Sequence, residues 1–220
     1  MQETVQLRIL QFPIFLYSFR NLIIFYVLNF FRKRRVFCVT KALINIDYTV
    51  DFVADNGALT CGKPGQAIEE QIVSLTNQFF QNGEFIVFAI DLHKKDDAYH
   101  PESKLFPPHN IEGTAGRDLF GKLGEYYKEI ADQSNVYWMD KTRYSAFAGT
   151  DLEIKLRERG IEEVHLVGVC TDICVLHTAV DAYNKGFKIV IHSDAVASFN
   201  PAGHEWSLEH FKSSLGATVL

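Results

Sequence analysis

From residue 39 onward, apolar positions fall into short continuous runs that alternate with stretches of helical spacing. Residues 41–47 (KALINID) form an apolar run ending on an acid, the pattern of a buried strand. Residues 65–81 carry Ile68, Ile72, Val73, Leu75, Phe79 and Phe80 at near-helical spacing and are closed by Gly83. A second buried strand follows at 84–91 (EFIVFAID), then an amphipathic helix at 117–133 and a brief strand at 136–139. Thr150 predicts the N-cap of a helix at 151–159 that Gly160 ends. A strand at 163–169, a helix at 174–184 stopped by Gly186, and a strand at 188–194 come next. A helix at 204–214 and a short strand at 218–220 complete the chain. Strands and helices of this length in alternation predict an α/β fold of three layers, a mostly parallel central sheet with helices on both faces.

Ligands of such sheets bind beyond the carboxyl ends of the strands. The residues found there carry chemistry. The first strand ends in Asp47, and the second in Asp91 with His93 just beyond it. The brief strand leads to Asp140 and Lys141, and the fourth to Cys170-Thr171-Asp172-Ile173-Cys174. A single strand-terminal Asp is often only a turn former. Two acids, a lysine and two thiols converging on one edge are harder to explain that way. Cys174 stands where a strand turns into a helix, and the first-turn N–H groups there favour a thiolate. It reads either as a nucleophile or as a small buried hydrophobe, and Cys170 beside it as a redox partner. Some 25 residues without regular structure separate Asp91 from Arg117, a length that points to function. They hold His93, His100, Glu102 and His109, which with Asp91 suit a divalent transition metal, or else are solvated loop side chains.

Composition changes the picture at one place. The 220 residues carry 22 Lys and Arg against 27 Asp and Glu, a net charge of −5 that argues against binding driven by a nucleic-acid backbone. Four cysteines are too few for a disulfide scaffold and match no zinc-finger spacing. Residues 1–38 differ from the rest: six basic side chains face the single acid Glu3, and 7 of the 18 phenylalanines lie here. A membrane span over residues 9–31 has to bury Arg20, at about 2.5–3.5 kcal/mol on insertion scales, with the basic cluster at 32–35 holding the remainder in the cytoplasm. No small-residue cleavage site follows the apolar run, so a secretory signal fits poorly. We read the stretch as an apolar, basic leader outside the native domain, produced by translation upstream of a start at Val39, with an anchor or interfacial segment as the alternative. Residues 39–220 are then the functional domain, placed in the cytoplasm.

Five ordered motifs carry a resemblance: ALINIDYTVDF at 42–52, FAIDLH at 88–93, FPPHNIEGTAG at 106–116, DKTRYSAF at 140–147 and GVCTDICVLHTAVDA at 168–182. In them the chain resembles the cysteine hydrolases of the isochorismatase-like superfamily, most closely the nicotinamidases, also called pyrazinamidases. The resemblance implies a triad of Asp47, Lys141 and Cys174. It implies a cis peptide before Cys170 and an oxyanion hole from the backbone N–H groups of Cys170 and Cys174. It also implies one divalent metal ion, zinc before iron or manganese, on Asp91, His93, His109 and a fourth ligand. That ligand varies in the family, and Glu102 is our choice over His100. Phe52, Phe106 and Tyr144 would wall the substrate ring. Isochorismatases proper lack the cysteine and the metal ligands, and the carbamoylsarcosine and ureidoacrylate amidohydrolases lack the D-x-H…H set. Retention of both points to hydrolysis of nicotinamide to nicotinate and ammonia in NAD salvage. Another small amide, or a non-catalytic metal or thiol redox sensor, are the alternatives. Such a substrate needs no nucleic acid or protein partner and no membrane apart from the leader, and homo-oligomers are common in the superfamily.

Overall fold

The computed structural model describes residues 40–220; the leader reading of 1–38 lies outside them. Six strands form one sheet: β1 (Lys41–Ile46), β2 (Phe85–Asp91), β3 (Val136–Lys141), β4 (Glu163–Val169), β5 (Lys188–Ala197) and β6 (Thr218–Val219). Their order is β3-β2-β1-β4-β5-β6, and every neighbouring pair is parallel. The helices are α1 (Val50–Val53), α2 (Lys63–Ala67), α3 (Glu69–Gln81), α4 (Gly121–Ile130), α5 (Leu152–Arg157), α6 (Leu176–Asn184) and α7 (Pro201–Ser213).

The central strands are apolar at consecutive positions because both faces are covered. One face packs Ile44, Ile46, Val87 and Leu166 against Leu152, Leu156, Ala179 and Phe211 of α5, α6 and α7. The other packs Leu43, Ile86, Phe88 and Val167 against Ile72, Leu75, Phe79 and Leu123 of α3 and α4. Burying a side chain of this size contributes about 1.5–3 kcal/mol, and the two layers together hold the sheet rigid.

Several predicted bounds shift. The helix expected at 65–81 is two, α2 and α3, meeting at Ile68. The helix at 117–133 shortens to α4, and Arg117 instead ends a 3-10 turn, Ala115–Arg117. β3 runs on to Lys141, because pairing with β2 continues to Asp91. The N-cap of α5 is Asp151; Thr150 still accepts the Leu152 N–H at 3.3 Å. β5 extends to Ala197 past a register shift opposite Leu166 and Gly168, and α7 starts at Pro201, where a missing N–H costs nothing.

Gly168 has φ 115°, and a Cβ there would stand 1.9 Å from the Ile46 carbonyl oxygen, one residue before Asp47. Gly168→Ala therefore combines a disfavoured backbone with a clash against β1. Its expected cost is about 2–5 kcal/mol, read as a lowered denaturant midpoint.

A second test concerns the opposite end of the sheet, where His165 Nδ1 lies 2.9 Å from His192 Nε2. Burial, and then the neighbouring His165, push His192 down to about 4; burial also lowers His165 against the pull of Glu163. Unfolded histidine protonates near pH 6.5, so between that pH and about 4 the unfolded chain binds more protons. The stability this pair contributes is complete above pH 6.5 and is lost as the pH drops through this window. Urea midpoints measured against pH should show a shallower fall for His192→Gln than for the unsubstituted chain.

Candidate active site

The strand order reverses between β1 and β4, which opens a crevice at their carboxyl ends. Asp47, the first residue past β1, is fully buried there with φ 53°. Its Oδ1 accepts the Asp91 N–H at 2.8 Å. Lys141 ends β3, with Nζ 2.7 Å from Asp47 Oδ2 and 3.7 Å from Asp91 Oδ1. The same ammonium donates to Cys174 Sγ at 3.6 Å. Cys174 itself lies in a π-turn, Thr171–Val175, that links β4 to α6. The peptide Val169–Cys170 is cis. Ser198 and Asn200 donate to the Asp172 carboxylate, and His204 Nδ1 lies 2.8 Å from Thr171 Oγ1, so the turn is pinned to the start of α7.

The electrostatics sort these groups. Burial pushes Asp47 up to about 6, with Lys141 opposing it. Burial would lower Lys141, but Asp47, Cys174 and Asp91 around it hold the ammonium well above its ordinary value, so it stays charged. Burial pushes the Cys174 thiol up, and Lys141 pulls the other way without prevailing. The expectation of a thiolate held by helix N–H groups is thus corrected: Cys174 rests as a thiol and needs a base beside it. Asp47 is that neighbour.

On the far side of Lys141 the loop after β2 folds back. His93 pairs with Ile111 in a parallel bridge, and its N–H donates to the Asn110 carbonyl at 3.1 Å. This sets His93 beside His109, their rings 4.3 Å apart. One ligand atom from each of Asp91, His93, Glu102 and His109 lies within 4.8 Å of the other three, and all four residues are buried. His93 Nε2 is 2.7 Å from Asp91 Oδ2, and His109 Nε2 is 3.6 Å from Glu102 Oε2. Despite this closeness, His93 Nε2, His109 Nε2 and both Asp91 oxygens have no hydrogen-bond partner among the described residues. Atoms that crowd together without bonding one another fit a common ion, whose ligands at about 2.0–2.2 Å would stand roughly this far apart. Burial lowers His109, but the Asp91 and Glu102 carboxylates outweigh it and push the imidazole up to about 10, a measure of how strongly this spot favours positive charge. His100 stays outside the cluster: it stacks on His93 and accepts the Glu102 N–H through Nδ1.

A small cavity of about 20 Å³ is lined by Phe52, Phe106 and Tyr144, with Glu102 from the ligand cluster and Cys170 and Cys174 from the turn. Leu59, Ile173 and Phe199 complete it. These three escape a sequence reading, since an apolar side chain in a turn carries no chemical signal. Asp51 and Arg117 escape it too. Asp51 Oδ2 accepts the Asn110 N–H at 2.8 Å, and the Asn110 side chain accepts from Thr49, so the segment just past Asp47 clamps the loop of His109. Arg117 donates to the Asp91 carbonyl at 2.8 Å and pairs with Asp140, tying the ends of β2 and β3.

The isochorismatase domain pattern matches residues 41–220. A curated relative from Bacillus subtilis (strain 168), the uncharacterized isochorismatase family protein PncA, is 66% identical over 179 residues, which span 81% of this chain and 98% of that one. The crystal structure of nicotinamidase/pyrazinamidase PncA from Bacillus subtilis superposes with a TM-score of 0.81 at 67% identity, covering 82% of this chain and 98% of that one. Pyrazinamidase of Pyrococcus horikoshii in complex with zinc has a TM-score of 0.71 at 28% identity, with 82% and 98% covered.

Proposed function

The chain belongs to the isochorismatase family, and from that premise we propose that it hydrolyses nicotinamide to nicotinate and ammonia through a thioester on Cys174. One observation carries the reading: Cys174, held beside Lys141 and Asp47, and Glu102, one of the four converging ligand residues, line the same aromatic-walled cavity. The likeness to a relative named nicotinamidase/pyrazinamidase supports it.

The pyridine ring enters among Phe52, Phe106 and Tyr144, which must part to widen the resting cavity of about 20 Å³, and presents its carboxamide carbon to Cys174. Asp47 takes the thiol proton as sulfur attacks that carbon. With a value of about 6, Asp47 is mostly ionised at neutral pH, yet its acid form is strong enough to hand the proton on to the departing nitrogen. Lys141 keeps its charge throughout and holds Asp47 and the nascent thiolate in place. The backbone N–H groups of Cys170 and Cys174 receive the oxyanion. The C–N bond breaks and ammonia leaves. Water, giving its proton to Asp47, then attacks the thioester carbon, and the C–S bond breaks to release nicotinate and restore the thiol.

Asp91, His93, Glu102 and His109 would hold a divalent ion, zinc in our reading and in keeping with the zinc complex of the Pyrococcus relative, although two imidazoles and two carboxylates also suit iron or manganese. When bound, the ion supplies a site for the pyridine nitrogen. The product feeds pyridine-nucleotide salvage. Among the described residues no helix is long and apolar enough to cross a membrane. Cys61, Cys170 and Cys174 are free thiols, which suits a reducing compartment, and we place the enzyme in the cytoplasm.

Ammonia release from a panel of small amides tests the proposal. Turnover of nicotinamide and pyrazinamide far above that of N-carbamoyl compounds supports it, and no release from nicotinamide overturns it.

A further inference from the structure

Two sulfurs take no part in the proposed reaction. Cys61 Sγ lies 3.2 Å from Cys170 Sγ across 109 residues of sequence. Both residues are almost fully buried, and both backbones are fixed. The Cys61 N–H donates to the Phe52 carbonyl at 2.8 Å, and the Cys170 carbonyl accepts from Ile173 at 3.1 Å and Val175 at 3.2 Å. Cys170 also lines the small cavity that Cys174 lines, which places the pair at the edge of a space open to a small oxidant.

We propose that Cys61 and Cys170 close reversibly into a disulfide when the protein meets a hydroperoxide, and that this bond slows turnover. The Cys170 sulfur, losing its proton, attacks the O–O bond of hydrogen peroxide; that bond breaks, one oxygen leaves as water, and a sulfenic acid remains. The Cys61 sulfur then attacks the sulfenic sulfur, the S–O bond breaks, and the hydroxyl leaves with the Cys61 proton as a second water. Two thiols are oxidised by two electrons in all, and one peroxide is reduced to two waters.

The contact of Cys61, with burial adding to it, pushes the Cys170 thiol well above its ordinary value, so the pair rests as two thiols until an oxidant arrives. Closing the gap from 3.2 Å to a bond of about 2.05 Å moves the two sulfurs together by about 1 Å and ties the catalytic turn to the segment of Cys61. A shift of that size in a positioned group can cost ~10²-fold in rate. The effect on turnover rests on the proposed reaction, whereas the bond itself does not.

The full chain is treated with hydrogen peroxide, its remaining thiols are blocked with iodoacetamide, and peptides are mapped without reduction beside assays of ammonia release. The expected result is a linked peptide joining Cys61 to Cys170, and a loss of turnover of about tenfold or more that dithiothreitol reverses. Cys61→Ser, with Cys61→Ala as a second variant, keeps its basal turnover and shows no dithiothreitol-reversible loss. A map in which Cys174 is oxidised and no 61–170 link exists overturns the proposal, as does a Cys61 variant that loses and regains turnover like the unsubstituted chain. A protein that never releases ammonia refutes the reaction instead, and the peptide map still decides the bond.

Discussion

Cys174→Ala should lower ammonia release from nicotinamide by about 10⁴-fold or more while the protein stays folded, because the acid and ammonium beside it have no other nucleophile to serve. Cys174 is buried against Lys141, and losing one sulfur atom leaves a void smaller than those of the larger core truncations, at a cost of about 1 kcal/mol. Lys141 remains paired with Asp47 at 2.7 Å, so the substitution leaves no isolated buried charge. Circular dichroism and the denaturant midpoint should therefore stay near those of the unsubstituted protein. Nicotinamide should still bind, since the aromatic walls are untouched. Turnover within tenfold of the original would remove Cys174 from the mechanism.

Stripping the divalent ion should have the second largest effect. Four donors from three separate stretches of chain meet at one point, and among the described residues none of the nitrogens or Asp91 oxygens aimed there has a hydrogen-bond partner. Prolonged chelation, checked by elemental analysis, should lower turnover by about two orders of magnitude, the scale expected when a substrate loses its alignment by an ångström. Zinc, manganese or ferrous iron added back should restore it. His109→Ala should weaken metal affinity in a competition with a chromophoric chelator, a readout independent of turnover. Full activity in a verified metal-free sample would contradict this use of the loop.

Much of this arrangement is legible in the order of residues, for physical reasons. Strands buried on both faces are continuous apolar runs, so 41–47, 84–91 and 163–169 mark themselves, and the acids ending the first two, with the cysteines after the third, mark the edge where ligands bind. The D-x-H pair at 91–93 is visible because two ligand types stand within one turn of chain. What stays hidden depends on the fold closing. Helix α1 is a single turn, too short to show a period. The meeting of Cys61 with Cys170 spans 109 residues, and nothing local announces it. Asp51 reads as an ordinary turn residue until Asn110 is seen to donate to it. The protonation of Cys174 is hidden for a related reason: position along the chain reports the backbone dipoles nearby but not the depth of burial, which pushes the thiol up.

The reacting groups and the groups that choose the ring have different supports. Asp47, Lys141 and Cys174 hang from three strands of one stiff sheet. Three of the four ligand residues, and Phe106 with them, belong to the single excursion between β2 and α4, while the other two ring walls, Phe52 and Tyr144, stay beside Asp47 and Lys141. Amide-cleaving power and appetite for a particular heterocycle are thus separable inheritances. Exchanging that excursion for one of another length or donor set should change which amide is accepted, while Asp47, Lys141 and Cys174 keep their places on the sheet.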